Sequence, residues 1–272
     1  MPSINQTAGL AVSRRRLLQQ AGGTLGLLGA GSVSTIAAGG TAEDGAHCSE
    51  ATFEPGMVHH DHSIHEVCSD EHPATEALQA DVRASLESKY STVGALIESG
   101  FIPYFDFATG GSWSHWINPT FIRDDSMVDP DRPESILVDH TWWRPIGVMF
   151  IATDGGDPVD PPPTVYEDGD ENGGACTPWH AHVGFPGRYS WWKYRTIYHE
   201  NAVFPCRTPW MMHVWIYPHQ ESIYAHAAPD ERGGPPAEPP GFETDVDPNE
   251  EPLSLKHLPD ILRKKTEDHW RV

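Results

Sequence analysis

The chain has 272 residues, of which 39 are acidic and 18 are basic, so its formal charge is -21. A surface this acidic repels phosphate backbones and anionic lipid, which excludes nucleic acid as a partner. Only five of the basic residues are lysine, and this balance favours a halophilic protein, because high salt screens the repulsion between acids. The alternative is an ordinary acidic secreted protein. The length allows one large domain or two small ones.

The amino-terminal segment, residues 1–42, contains no acidic residue. Within it, Ser13-Arg14-Arg15-Arg16-Leu17-Leu18 precedes an apolar run rich in glycine and alanine. This arrangement resembles a twin-arginine export signal, which predicts the twin-arginine translocation machinery as a partner and an extracellular or cell-surface location. A membrane anchor is the alternative, but the many glycines make the run only mildly apolar and favour a signal.

Four cysteines lie beyond this segment, at Cys48, Cys68, Cys176 and Cys206. An even number of cysteines in an exported chain predicts two disulfides. Of the three possible pairings, proximity in sequence favours Cys48 with Cys68 and Cys176 with Cys206. Thiolate ligation of a metal is the alternative, since Cys176 lies shortly before His180.

Residues 43–72 form an extension that is rich in histidine between His59 and His72. Neutral imidazole binds zinc, copper and nickel, so this segment could bind a transition metal. A solvated extension with adventitious affinity for metals fits the loose spacing equally well.

Residues 73–229 are predicted to form one α+β domain. Helical periodicity covers residues 73–100, with a break near Ser91 that indicates two helices or one kinked helix. Short aromatic and β-branched runs follow and predict a mostly antiparallel β-sheet or barrel. Residues 230–252 form a proline-rich acidic linker that we expect to be disordered. Residues 253–272 are predicted to contain a short C-terminal helix.

The most informative stretch for function contains two histidines separated by one residue, His180 and His182. On a strand, both imidazoles point to the same face and can share an ion. His213, in a run of aromatic residues, is the predicted third ligand, with His115 or Glu134 as a fourth. Such a set suits zinc, iron, manganese or copper. The alternative is that each histidine is structural or solvated, and no reaction is indicated by the sequence.

A second class of function is binding without chemistry. The predicted domain contains nine tryptophans, and indoles can line an apolar or carbohydrate pocket for an unknown small-molecule ligand. Packing within the core is the alternative role for most of them. Protection of tryptophan fluorescence by a ligand distinguishes the two.

Several short motifs follow one another in a fixed order along the predicted domain. They are Lys89-Tyr90 through Gly100-Phe101, His115-Trp116-Ile117-Asn118-Pro119, Asp129-Pro130-Asp131-Arg132-Pro133-Glu134, Gly147-Val148-Met149-Phe150-Ile151, Pro161-Pro162-Pro163, Pro178-Trp179-His180-Ala181-His182 and Met212-His213-Val214-Trp215-Ile216-Tyr217-Pro218. Their order resembles a family of secreted bacterial and archaeal proteins that has no assigned activity. The resemblance implies histidines at His115, His180 and His213 but no reaction. After Pro218 this chain departs from the Asn-Pro-Asp-Gly-Phe continuation that is common in the family.

Overall fold

The structure is a computed structural model that describes residues 48–60, 68–167, 175–199, 202–230 and 239–270. The predicted signal segment 1–42 lies outside these residues, as do His62 and His65 of the histidine-rich extension.

The described chain is an α+β structure of short strands and four α-helices. In chain order its strands and helices are β1 (Met57–His59), α1 (Pro73–Lys89), α2 (Val93–Glu98), β2 (Ile102–Pro103), β3 (Trp113–Ile117), β4 (Ser135–Asp139), β5 (Arg144–Ile151), β6 (Thr153–Asp154), β7 (Asp157–Pro158), β8 (Tyr166–Glu167), β9 (Ala175–Cys176), β10 (His180–His182), α3 (Phe185–Tyr198), β11 (Met211–Trp215) and α4 (Asp260–Trp270). Two 3-10 helices, Phe105–Thr109 and Leu255–His257, complete the set.

Seven strands form one sheet in the order β1-β10-β11-β5-β4-β3-β2. Every neighbouring pair in it is antiparallel. The sheet is open, with β1 and β2 at its two edges, so the prediction of a mostly antiparallel sheet is confirmed and the described strands do not close into a barrel.

Helices α1 and α2 cover the segment for which two helices or one kinked helix were predicted. The imidazole of His72 accepts a hydrogen bond from the backbone N–H of Ala74 (3.2 Å) and so caps α1. The hydroxyl of Thr92 accepts one from the N–H of Ala95 (3.1 Å) and caps α2. Because Thr92 caps a new helix, the first helix has to end before it. Helix α1 buries Val82 and Leu86 and packs against β5 and β11.

Helix α3 was not predicted from the sequence. Pro186 stands in its first turn, where a missing N–H costs nothing. Trp191 and Tyr194 are buried on one face of the helix, whereas Trp192 is half-buried. Neighbouring residues on a helix point in different directions, so the two adjacent indoles differ in burial.

All four cysteines are in disulfides, as predicted, but the pairing favoured from sequence is wrong. The bridges are Cys48–Cys206 and Cys68–Cys176. The reason is the antiparallel pairing of β1 with β10, which aligns Met57 with His182 and His59 with His180. The chain before β1 therefore meets the chain after β10, and the chain after β1 meets the chain before β10.

The histidine-rich extension is therefore not a separate segment in its described part. It supplies β1, an edge strand of the main sheet, and both disulfides tie it to the domain. The two cross-links fit an oxidising environment, where disulfides persist. Among the described helices, none combines the length and the apolar character needed to cross a bilayer.

Residues 239–252 belong to the segment expected to be disordered, yet they pack against the domain. The backbone N–H of Gly94 donates to the carbonyl of Pro240 (2.7 Å), and the indole N–H of Trp143 donates to the carbonyl of Glu251 (2.8 Å). Backbone hydrogen bonds and a close approach of Gly241 to Gly94 hold this stretch against the domain. Amino-acid composition does not reveal such contacts. Residues 231–238 lie outside the described part of the chain.

Candidate metal centre

One face of the sheet carries a cluster of histidines. His59 lies opposite His180, and His180 lies opposite Met211, so all three side chains project from the same face. Alternation along β10 and β11 adds His182 and His213 to that face. The positions for the cluster thus follow directly from the strand register.

The same face is concave. Strands β11 and β3 are separated by β5 and β4, which in a flat sheet would put them about 14 Å apart. Nevertheless the Nε2 atoms of His213 and His115 are only 3.2 Å apart. Gly147 on β5 allows the close approach of β11, because a Cβ there would lie 2.7 Å from the carbonyl oxygen of Val214 and 3.0 Å from the indole of Trp215. The curved face therefore gathers side chains from strands that are not neighbours.

Three histidines at the centre have the spacing of a metal site. One ring nitrogen each of His180, His182 and His226 lies within 4.8 Å of the other two. Their ring centroids are 5.4 Å (180 to 182), 5.0 Å (180 to 226) and 5.3 Å (182 to 226) apart. Three imidazoles that converge in this way can coordinate one ion and leave a further position open.

His180 is the most informative member of this trio. Its side chain is completely buried, and neither ring nitrogen finds a hydrogen-bond partner among the described residues. Buried polar groups in folded proteins are almost always paired, so an unpaired imidazole surrounded by others is a candidate metal ligand.

A second group, His213, His115 and Asp106, borders the trio. The ring of His213 lies 5.2 Å from that of His180 and 5.4 Å from that of His226. Its Nδ1 faces the carbonyl oxygen of Ala225 at 3.3 Å. On the other side, Nδ1 of His115 lies 2.8 Å from a carboxylate oxygen of Asp106.

The electrostatics of the cluster favour neutral imidazoles. Burial, followed by the neighbouring histidines, lowers the pKa of His180 and of His213 well below its usual value. Burial and then His226 lower the pKa of His182 to about 4, and burial and then His115 lower the pKa of His226 to about 4. Neutral imidazole is the form that binds metals. At neutral pH each of these rings therefore has one unprotonated nitrogen that can bind an ion.

The cluster opens into a cavity of about 390 Å³. His115, His182 and His226 line it together with Asp106, whereas His180 and His213 are fully buried. The rest of the wall is largely apolar, and its main contributors are Phe105, Trp113, Ile122, Met149, Ile151 and Trp191. Trp191 comes from α3, whose first turns cover the open side of the concave face.

The structure brings together four of the five metal ligands predicted from sequence. His180 and His182 are in the trio, His213 stands beside it, and His115 contacts His213. Glu134 lies elsewhere: its carboxylate accepts a hydrogen bond from the backbone N–H of Ile151 (3.1 Å), and burial raises its pKa well above the usual value. The charges that act on it are those of Asp124 and Asp129, not of the histidines.

Three residues in or beside this histidine cluster, His226, Asp106 and His59, were not identified from sequence as parts of the site. His226 follows β11 on an irregular stretch, placed by the hydrogen bond from the N–H of Trp215 to the carbonyl of Ile223 (2.9 Å). Asp106 lies on a 3-10 helix, and no spacing relates it to His115. His59 belongs to the histidine-rich extension; its ring lies 6.4 Å from that of His180, at the edge of the cluster.

Comparison with known proteins adds no assignment. No protein-family model, no curated protein sequence and no solved structure shows a significant match to the chain. The functional conclusion therefore rests on the geometry of the cluster and its cavity.

Proposed function

We propose that the protein binds a transition-metal ion through His180, His182 and His226 and presents it to the cavity. The observation that carries this proposal is the fully buried ring of His180, whose nitrogens have no partner among the described residues and which converges with the two other imidazoles. An ion at this point would give each imidazole the partner that burial demands.

The donor set narrows the choice among zinc, iron, manganese and copper. The trio contains only imidazole nitrogens, and no carboxylate of the described residues joins it. Imidazole suits zinc, copper and iron, whereas manganese prefers oxygen ligands. We therefore favour zinc or copper, with iron as the next choice.

The cavity indicates what the ion would act on. His182 and His226 line the cavity, so the open position of an ion held by the trio faces this space. A bound ion there can polarise a water molecule or an oxygen atom of a substrate. The apolar wall and the volume of about 390 Å³ favour a small, largely apolar molecule with one or a few polar atoms.

The proposal includes export. Two disulfides support an oxidising location, and the amino-terminal Ser13–Leu18 stretch resembles a twin-arginine signal. The high excess of acids supports a protein that works in high salt outside the cell. Replacing Arg14 and Arg15 by lysine in an export assay tests the first part: retention of the protein in the cytoplasm is expected, and undiminished secretion would contradict it.

Metal analysis tests the central proposal. The full chain is purified without an affinity tag or chelator, and bound metal is measured by mass spectrometry for the native protein and for His180→Ala. We expect about one equivalent of bound metal or more in the native protein and at least about tenfold less bound metal in the variant. His269→Ala is the matched control, because His269 on α4 lies beside Tyr198 and away from the cluster. Native protein without metal, after reconstitution with zinc or copper, would refute the proposal.

A second candidate function is supported by the cavity alone. Its apolar wall, which includes Trp113 and Trp191, suits a binding protein for a small apolar ligand that needs no metal. In that case the metal-free protein binds small apolar molecules and shows a change in tryptophan fluorescence that chelators do not affect. A fluorescence response that appears only after metal is added favours the metal centre instead.

A further inference from the structure

The pair His115 and His213 has an unusual arrangement of nitrogen atoms. Nδ1 of His115 lies 2.8 Å from a carboxylate oxygen of Asp106, so this nitrogen carries the proton and donates it. Nδ1 of His213 faces the carbonyl of Ala225 at 3.3 Å, and a carbonyl only accepts, so it too carries a proton. With the proton on Nδ1, the Nε2 atom of a neutral ring carries the lone pair.

These two Nε2 atoms face each other at 3.2 Å. Two lone pairs at this distance repel each other, and either a proton held in an N–H···N hydrogen bond or a metal ion removes the conflict. Two imidazole ligands of one tetrahedral zinc ion, with bonds of about 2.0 to 2.1 Å, have nitrogens about 3.3 Å apart. The observed separation thus matches that of two ligands of one ion, and metal titration separates this arrangement from a shared proton.

The outer partners of both rings also match this role. A metal-bound histidine usually donates its other ring N–H to a carboxylate or a backbone carbonyl, which fixes the ring and its tautomer. Asp106 provides the carboxylate for His115, and Ala225 provides the carbonyl for His213. Asp106 is itself held in place, because its carboxylate also accepts from the backbone N–H of His115 (3.1 Å).

We propose that His115 and His213 bind a second metal ion through their Nε2 atoms, so that the centre is dinuclear. This inference rests on the proposed function, because the first ion occupies the neighbouring trio. The ring of His213 is 5.2 Å from that of His180 and 5.4 Å from that of His226, so the two ions lie in one cluster. His115 lines the cavity together with His182 and His226, so both ions can reach the same small molecule.

A pair of ions defines the substrate class more closely. Two ions a few ångströms apart hold one oxygen-containing group between them or act on two neighbouring atoms of it. The apolar wall remains available for the body of the molecule. We therefore infer a small apolar molecule with an oxygen-containing group that both ions would bind.

Metal stoichiometry separates the two proposals. Apo-protein is titrated with Zn²⁺ or Co²⁺, and bound metal is counted after removal of the excess. We expect two equivalents for the native chain, one for His115→Gln, and two for the control His269→Ala. One equivalent in both the native chain and His115→Gln overturns the second ion but leaves the trio. Absence of binding in the native chain overturns both proposals. Both are also overturned if the native chain binds one equivalent and His115→Gln binds none.

Two further measurements keep the inference testable if His115→Gln folds poorly. Asp106→Asn leaves both histidines in place, and we expect it to weaken the second ion about tenfold to a hundredfold without affecting the first. With Cu²⁺, the native chain should show an electron paramagnetic resonance signal that is lost or broadened by coupling between two ions. A spectrum of isolated copper at full loading, in both the native chain and Asp106→Asn, would contradict a dinuclear centre.

Discussion

Gly187 lies directly against His182. A Cβ atom at Gly187, in the first turns of α3, would be 2.5 Å from the Cβ of His182 and 3.0 Å from its Cγ. The backbone of α3 can therefore cover the cluster at this point only because residue 187 has no side chain.

Replacing Gly187 by alanine should displace His182 without changing any charge. We expect at least a tenfold loss of affinity for the first ion, because ligands must be held within fractions of an ångström of their positions. Isothermal titration with Zn²⁺ measures the effect. Thr196→Ala, at an exposed position further along α3, is the control and should bind like the native chain; equal affinities for all three proteins would contradict the predicted role of Gly187.

Part of this site follows from local sequence patterns. The pair His180 and His182 could be placed on one face because the period of a strand is two residues. His213 could be added because it lies in a run of alternating aromatic and aliphatic residues. These predictions depend only on neighbours in the sequence, and the structure brings the three imidazoles together.

The rest of the site depends on features that no local pattern records. His115 reaches His213 only because the sheet curves across two intervening strands. His226 is carried by an irregular stretch held by backbone hydrogen bonds, which leave no periodicity in the side chains. The disulfide pairing predicted from sequence was wrong for the same reason, because the observed pairing is set by the antiparallel alignment of β1 with β10.

The buried carboxyl of Glu134 should give the protein a distinctive dependence on pH. Burial raises its pKa in the folded state, so between about pH 4.5 and that raised value the folded chain keeps a proton that the unfolded chain releases. Its contribution to stability is therefore present at low pH and is lost as pH rises. The loss is at most about 1.4 kcal/mol per pH unit.

Glu134→Gln tests this dependence, because glutamine keeps an acceptor for the N–H of Ile151 and cannot ionise. We expect the variant to gain stability relative to the native chain as pH rises from 4.5 to 8. Urea unfolding at several pH values measures the difference. Glu98→Gln, at an exposed position on α2, is the control. A difference between native chain and Glu134→Gln that does not vary with pH would show that Glu134 is ionised in the fold.

The histidines of the trio should give the free energy of unfolding a pH dependence opposite to that from Glu134. Burial lowers the pKa of His182 and of His226 from 6.5 to about 4, so the unfolded chain takes up protons between these values and the folded chain does not. Stability is therefore complete above about pH 6.5 and falls as pH drops toward 4, by at most about 1.4 kcal/mol per pH unit for each histidine. Metal-free His182→Gln should lose less stability over this range than the metal-free native chain. Parallel curves from denaturant unfolding would argue against a depressed pKa.

Removing a disulfide should loosen the edge strand β1. The double variant Cys68→Ser with Cys176→Ser opens a bridge that spans 108 residues of sequence. We expect a loss of about 2 to 5 kcal/mol in the free energy of unfolding, measured in urea. The matching variant without Cys48 and Cys206, whose bridge spans 158 residues, should lose a similar amount. Unfolding midpoints unchanged by reducing agent would mean that neither bridge contributes to stability.

The excess of acids should make stability depend on salt. With 39 acidic and 18 basic residues, repulsion across the surface opposes the compact state at low ionic strength. We expect the midpoint of thermal unfolding to rise between about 0.1 M and 1 M KCl, because the screening length falls from about 10 Å to about 3 Å. Sucrose at matched water activity serves as the uncharged control. An equal effect of both additives would remove the support for a halophilic surface.

The alignment of β1 with β10 also sets an order of events in biosynthesis. His59 leaves the ribosome more than a hundred residues before His180, to which it is matched in the sheet, and neither cross-link can close until Cys176 or Cys206 has emerged. The edge of the imidazole cluster beside His180 is thus completed only after most of the chain has been made. The first-made strand is therefore added to a sheet formed by residues made after it.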